Sequence, residues 1–365
     1  MKKLLSSLML FCIFSAVFAQ NKLNDKSNIA YRNAKGYFDS QEYGKCLEYA
    51  ENAMTYRKQQ IESEIKILTR SLSTRQLKSA GDNIGKVLET LKERGEQNCI
   101  DIINSYIKKY GSNKFNNSIE KLLNFIKEQE SFPEAQILIG DVYKIEGEYD
   151  LAEDYYFDAL KNSEVMDIPD QKYSVLYTLA DISSLKNDKE QMEKRLLNIT
   201  AIADPSRNKL IMKNMHQTIR RNTNEYMNKF FIMYRSYDYY SLEAYCKLAE
   251  YYLSIEQYEK ALGYCALAVI TGFSKAYNII EKRNLAFEYT NIQDFLEEVQ
   301  NYDDIVSWGS ENKVWESFNL LCEISFKMGY NVFAKDLLIV LSKSSPEKYW
   351  QQSAVLKLDT LDGVK

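Results

Sequence analysis

Residues Leu138–Leu160 read LIGDVYKIEGEYDLAEDYYFDAL. A small residue, Gly140, is followed by Tyr143; Gly147 comes next; then Tyr149, Ala152, Tyr156 and Ala159 recur three or four apart. Such spacings gather side chains on one face of a helix. A glycine between two such runs lets the chain leave the first helix in a left-handed conformation. The stretch therefore reads as two helices joined by a short turn. The composition carries that reading outward: 365 residues hold only 4 Pro and 13 Gly, too few turn residues for a β-rich chain of this length. Pro133, Pro169, Pro205 and Pro346 fall between helical patterns or at a helix's first turn, where proline is tolerated.

The pattern recurs. LAEYYLSIEQYEKALGYCALAV (Leu248–Val269) repeats it with Leu248, Ala249, Tyr252, Tyr258, Ala261, Cys265 and Ala268. AKGYFDSQEYGKCLEYAENAM (Ala34–Met54) repeats it with Ala34, Tyr37, Tyr43, Cys46, Ala50 and Ala53. Leu320–Pro346 offers Leu321, Cys322, Gly329, Ala334, Leu338 and Leu341. Weaker copies lie at Tyr173–Ile199, which keeps Leu179 and Ala180 but has Met192 in place of alanine, and at Val87–Ile107, which keeps Gly95. Arg207–Arg235 and Ala276–Trp308 are helical in pattern but degenerate.

These residues resemble the tetratricopeptide repeat, a 34-residue helix–turn–helix unit. The resemblance implies an all-α solenoid of stacked antiparallel helix pairs, each repeat touching its neighbours and lining a concave face. In that arrangement Gly140 and Ala152 sit where the two helices cross and must be small, while Tyr143 and Tyr156 wedge beside the crossing. The spacing between clear copies is not a multiple of 34, which implies insertions around residues 162–173 and 201–207. A break near Pro205 divides the chain into sub-arrays 20–203 and 204–365.

MKKLLSSLMLFCIFSAVFAQ opens the chain with Lys2 and Lys3, an apolar run from Leu4 to Phe18, and Ala19 before Gln20. This is the three-part pattern of a secretory signal peptide, 1–19; the alternative is a lipoprotein anchored through Cys12. The expected location is therefore the periplasm, and no other stretch is long and apolar enough to span a bilayer. Cys46, Cys99, Cys246, Cys265 and Cys322 remain, an odd number without a zinc spacing. Cys46, Cys265 and Cys322 occupy interior positions of the repeat, where a free thiol acts as a small hydrophobe. Cys246 is expected on the concave face, pointing away from Cys265.

No catalytic constellation is present in the sequence. The single histidine, His216, supports no histidine-based metal cluster, and the GxSxG, GxGxxG and GxxxxGK[ST] motifs do not occur. The expectation is a non-catalytic chain with no cofactor and no metal. A net charge of −4 without a basic block argues against nucleic acid. The resemblance implies binding of a protein or peptide. Within it, the concave face holds Lys35, Asp141, Asp181, Glu250 and Glu323 at one position of successive first helices, and Asn28, Glu134, Ser174, Glu243 and Glu316 at another. Carboxylates near a helix start have a plain explanation in the helix dipole; the mid-helix acids do not. Two readings stand: an acidic groove for a Lys/Arg-bearing segment, or a solvated face of an acidic protein. The basic groove that grips acidic chaperone C-termini is not reproduced.

Most of the 28 tyrosines that can be placed in the pattern are core residues. Tyr237, Tyr239 and Tyr240 instead crowd into a connector, either as a recognition surface or as a linker packed on its neighbours. Exported tetratricopeptide proteins serve envelope assembly, secretion and, in spirochaetes, the periplasmic collar of the flagellar motor; the resemblance implies a scaffold of that kind. The alternative is a small-ligand carrier partnering a transport system, with Met212, Met215, Met227 and Met233 lining an apolar tunnel or simply filling the core. The sequence does not define an oligomeric state.

Overall fold

The computed structural model describes residues 26–72, 83–111, 118–202, 204–221, 224–236 and 238–363. The leader expected at 1–19, its Cys12, and Tyr237 lie outside the described residues. Among the described residues the chain is helical, without strands. It divides into two compact units, Met1–Ile182 and Ser183–Lys365. Residue 203 is not described, and Pro205 opens a helix.

In unit 1, α1 (Lys26–Asp39) pairs with α2 (Tyr43–Leu72), and α6 (Pro133–Glu146) pairs with α7 (Tyr149–Lys161). Between them in sequence come α3 (Ile84–Arg94), α4 (Gln97–Tyr110) and α5 (Ile119–Glu128). α8 (Gln171–Leu185) follows α7, and the unit boundary falls inside it. Unit 2 continues with α9 (Lys189–Ile202), α10 (Pro205–Arg221) and α11 (Asn224–Met233). Then come the pair α12 (Leu242–Ser254) and α13 (Tyr258–Arg283), the short α14 (Ile292–Val299) and α15 (Asp303–Glu311), and finally α16 (Val314–Lys327), α17 (Asn331–Ser344) and α18 (Lys348–Gly363). α13 packs on α16, α16 on α17, and α17 on α18, so neighbouring helices pack in adjacent pairs.

The crossing residues behave as their spacing predicts. A Cβ on Gly140 would stand 2.9 Å from the Tyr156 ring, so only glycine admits this approach without a shift. Ala152, Ala159, Ala249, Ala261 and Ala334 are all sealed in the core. The interior cysteines, Cys46, Cys265 and Cys322, are buried free thiols, as are Cys99 and Cys246.

One turn recurs across both units. Gln41, Gly95, Gly147, Asn187, Glu256 and Gly329 all have positive φ. In each case the following backbone N–H bonds back to a carbonyl of the preceding helix: Glu42 N to Tyr37 O at 2.8 Å, Glu96 N to Leu91 O at 3.1 Å, Glu148 N to Tyr143 O at 2.9 Å, Asp188 N to Ser183 O at 2.8 Å, Gln257 N to Tyr252 O at 2.9 Å and Tyr330 N to Ser325 O at 2.9 Å. This bond satisfies a carbonyl the helix end leaves unpaired. Three of the six positions carry side chains, so the geometry is imposed by the helix pair and is not a consequence of glycine alone.

Two helices outrun a repeat. α2 has 30 residues and α13 has 26. The surplus of α2, through Ile61 and Leu68, forms a core with Ile84, Val87 and Leu91 of α3, Ile103 and Tyr106 of α4, and Leu122 and Phe125 of α5. The surplus of α13 places Phe273 against Phe231, Phe295 and Tyr289, with ring centroids 5.1, 4.6 and 5.4 Å away. The degenerate stretches of sequence are thus satellites seated on overlong second helices.

Candidate functional site

In unit 1 two of the predicted acids, Glu134 and Asp141, are held by neutral donors. Glu134, at the start of α6, is only 7% exposed. Its Oε1 accepts the backbone N–H of Asp167 at 2.6 Å, tying the segment after α7 to α6. Asp141 is half-buried, and its Oδ1 accepts the Tyr156 hydroxyl at 2.6 Å. Burial pushes the Asp141 carboxyl up, against the pull of that hydroxyl and of Lys144. Tyr31 on α1 completes the cluster: burial first, then the charges of Glu134, Asp141 and Asp167, drive its phenol up. Burial, with Asp141, also raises the Cys46 thiol to about 11. Lys35 is exposed, its Nζ 6.0 Å from the Tyr31 ring centre, and Asp181 is exposed on α8.

In unit 2 the acids are mostly answered by lysines. Glu243 pairs with Lys247 one turn on at 2.7 Å. Glu250 on α12 pairs with Lys313, 63 residues away at the start of α16, at 2.7 Å. Glu323 stands 3.9 Å from Lys357 of α18. Glu316 lies in the same neighbourhood as Glu250 and Lys313: burial raises its carboxyl, Lys313 lowers it, and Glu250 and Glu347 raise it. Burial pulls the Lys313 ammonium down, yet Glu250 and Glu316 outweigh it and the net shift is upward. The two groove positions of consecutive first helices therefore converge here, around one lysine.

Cys246 departs from expectation. It is buried beneath this cluster rather than open on a groove, and its Sγ lies 3.4 Å from Ser317 Oγ. Burial raises its thiol to about 12. Cys265 donates to Ser317 O at 3.3 Å, so both thiols address the same serine yet remain unbridged. A small hydrophobe was expected at Cys265 and Cys322; the position of Ser317 between α12 and α13 was not foreseeable from spacing.

The aromatic connector is pinned to α13. Ser236 N–H donates to Ser274 Oγ at 2.8 Å, and Asn278 Nδ2 donates to the Tyr239 hydroxyl at 2.6 Å. Asp238 accepts from Ser241 Oγ at 2.7 Å. Tyr239 is half-buried and Tyr240 is 44% exposed. The methionines do not share a lining. Met215 is in the core, Met212 lies over Gly263 and Met233 is 70% exposed; the Met227 side chain is outside the described residues. A surface cleft of about 500 Å3 sits at the tip of the α12–α13 turn, lined by Glu256, Gln257, Tyr258, Glu259, Lys260 and Met328. His216 is half-buried on α10. Among the described residues no three of His, Cys, Asp or Glu gather to hold a metal ion, and no helix is long and apolar enough to cross a membrane.

The fold and these faces define a class, an all-helical protein of paired helices with polar faces along its first helices. No protein-family model matches the chain. It is 28% identical over 329 residues to an uncharacterized protein of Treponema pallidum (strain Nichols), an alignment that covers 89% of this chain and 87% of that protein.

Proposed function

We propose that this chain is a non-catalytic, tetratricopeptide-like scaffold of the bacterial envelope that binds a protein segment along the first-helix face of unit 2. The observation that carries the reading is the convergence of Glu250 and Glu316, from consecutive first helices, around Lys313. The exposed ion pairs Glu243–Lys247, Glu250–Lys313 and Glu323–Lys357 supply carboxylates whose present partners are cheap to displace. Exposed pairs contribute only about 0–1 kcal/mol each. Four carboxylates (Glu243, Glu250, Glu316 and Glu323) face three lysines (Lys247, Lys313 and Lys357), so the face keeps a small negative excess that favours a Lys/Arg-bearing segment.

Glu134 and Asp141 of unit 1 belong to a different category. Glu134 and Asp141 are committed to Asp167 N–H and Tyr156, and they hold the fold. The export pattern at the N-terminus supports an envelope location; a role in flagellar collar assembly rests on the tetratricopeptide resemblance, and the similar chain in Treponema pallidum is itself uncharacterized. The carrier alternative needs a common apolar lining, and Met212, Met215 and Met233 provide none.

The test is capture of partners from native envelope fractions at low and high salt, with the wild-type chain and a Glu243→Lys/Glu250→Lys/Glu323→Lys variant. Salt-sensitive capture lost in the variant is expected. Undiminished capture by the variant removes the unit 2 face from the reading. A small molecule co-purifying in place of a protein revives the carrier.

A further inference from the structure

The surplus turns of α13 carry a cation without a counter-ion. Lys275 is half-buried, and its Nζ lies 4.6 Å from the centre of the Trp308 ring and 5.4 Å from that of Tyr239. Among the described residues no carboxylate pairs with it. Burial alone acts on its ammonium and pulls it down. The arrangement is held firmly from both sides. The connector is stapled through Ser236–Ser274 and Asn278–Tyr239, at 2.8 and 2.6 Å. On the other side the Arg283 guanidinium grips the Asp304 carboxylate with two bonds, at 2.8 and 2.6 Å, which fixes α15 one turn before Trp308. Trp315, whose indole N–H donates to Val306 O at 3.0 Å, lies against Gly309 so closely that a Cβ there would stand 2.3 Å from the ring. Trp308 is therefore placed by α13 and α16 together.

An ammonium that is partly withdrawn from water and faces only ring quadrupoles is under-compensated. A carboxylate supplies a charge-assisted bond that water and rings do not. Trp308 adds an indole N–H with no acceptor among the described residues. Two other cations in this part of unit 2 are occupied: Arg283 by Asp304, and Arg235 by Glu281 at 3.4 Å. One free positive charge suits a monoanion and not a doubly charged phosphate. The two flat rings near the ammonium suit an apolar or aromatic group next to that anion.

We propose that Lys275, within cation–π distance of Tyr239 and Trp308, is a binding site for the carboxylate of a peptide that carries an aromatic side chain next to it. The site is independent of the acidic face of unit 2, and its failure would leave that face untouched. It also gives Tyr239 a recognition role through its ring, while its hydroxyl remains structural.

The test uses the full chain and three probes in ligand-observed NMR: acetyl-Gly-Phe with a free C-terminus, the same peptide as its amide, and acetyl-Glu-Phe amide. The free acid and the glutamyl peptide are expected to bind, and the uncharged amide at least about ten-fold more weakly, the scale of one charge-assisted bond. Whichever acid binds tighter identifies the source as a chain terminus or an acidic side chain. Lys275→Met is expected to erase the difference between acid and amide, and Trp308→Phe, which keeps a ring but loses the N–H, to reduce it. Equal binding of acid and amide by the wild-type chain overturns the proposal, whatever the stability of the variants. So does undiminished acid binding by Lys275→Met, or no binding of either acid at millimolar concentration.

Discussion

The two units put the same residue types to opposite uses. At matching positions of their first helices, unit 1 has Glu134, Asp141 and Asp181 and unit 2 has Glu243, Glu250, Glu316 and Glu323. In unit 1 Glu134 and Asp141 are sunk into the packing and take hydrogen bonds from a backbone N–H and a tyrosine, while Asp181 is exposed. In unit 2 three of them stand at the surface against lysines. A buried acceptor whose donor is removed leaves a desolvated group behind, whereas an exposed ion pair is replaced by water at little cost. Charge at a groove position is thus no guide to its role. What matters is whether the carboxylate is desolvated and what answers it.

The largest expected effect of breaking this contrast is at Asp141. Asp141→Ala leaves the Tyr156 hydroxyl without its partner, and a loss of about 2 kcal/mol in urea unfolding is expected. Glu134→Ala should cost about 1–2 kcal/mol for the same reason, with Glu134→Gln recovering most of it because an acceptor remains. At the turns, Gly147→Ala should cost about 1 kcal/mol, since the Cβ meets no neighbour and only the left-handed backbone objects. Glu256→Gly, at the equivalent turn of unit 2, should stabilise by about 0.5–1 kcal/mol. Smallest of all, Glu250→Ala should change stability by less than about 1 kcal/mol. A cost at Glu250 equal to that at Asp141 would erase the distinction between the units.

Acidity sharpens the same comparison. The Asp141 carboxyl is raised in the folded state, so the folded chain holds that proton more tightly than the unfolded one. Its contribution therefore declines as pH rises from the unfolded value of 3.8 through the folded value, and is recovered as pH falls again. The difference in unfolding free energy between the wild type and Asp141→Asn should follow that sign across this window. Asp304, whose carboxyl the Arg283 hydrogen bond holds down, should behave oppositely, losing its contribution as pH falls.

Much of the architecture was legible. Gly140, Ala152 and Tyr156 marked a helix crossing by their spacing, and the close approach of Gly140 to Tyr156 is that crossing. Gly95, Gly147 and Gly329 marked turns because glycine adopts the left-handed region freely. Gln41, Asn187 and Glu256 adopt it too. They were invisible because nothing in the residue type signals a conformation imposed by the packing of the helices it joins. The extra turns of α2 and α13 were also hidden: a helix that continues past its repeat keeps the same period, and only the satellites seated on it reveal where it ends.

The candidate site was legible in charge but not in compensation. Lys313 lies 63 residues from Glu250, and no local pattern links them. Cys246 illustrates the same limit, since a position expected on an open face is buried, its Sγ 3.4 Å from Ser317 Oγ on α16. Lys275 of α13 reaches Tyr239 of the connector and Trp308 of α15, separate elements that no local sequence pattern links.

The most direct test of the scaffold reading is quantitative crosslinking of envelope proteins to the chain at low salt. Wild type is to be compared with the Glu243→Lys/Glu250→Lys/Glu323→Lys variant after both are shown to melt alike. The reading predicts a set of proteins captured by the wild type and lost by the variant. Capture of the same set at the same yield by both chains would contradict it.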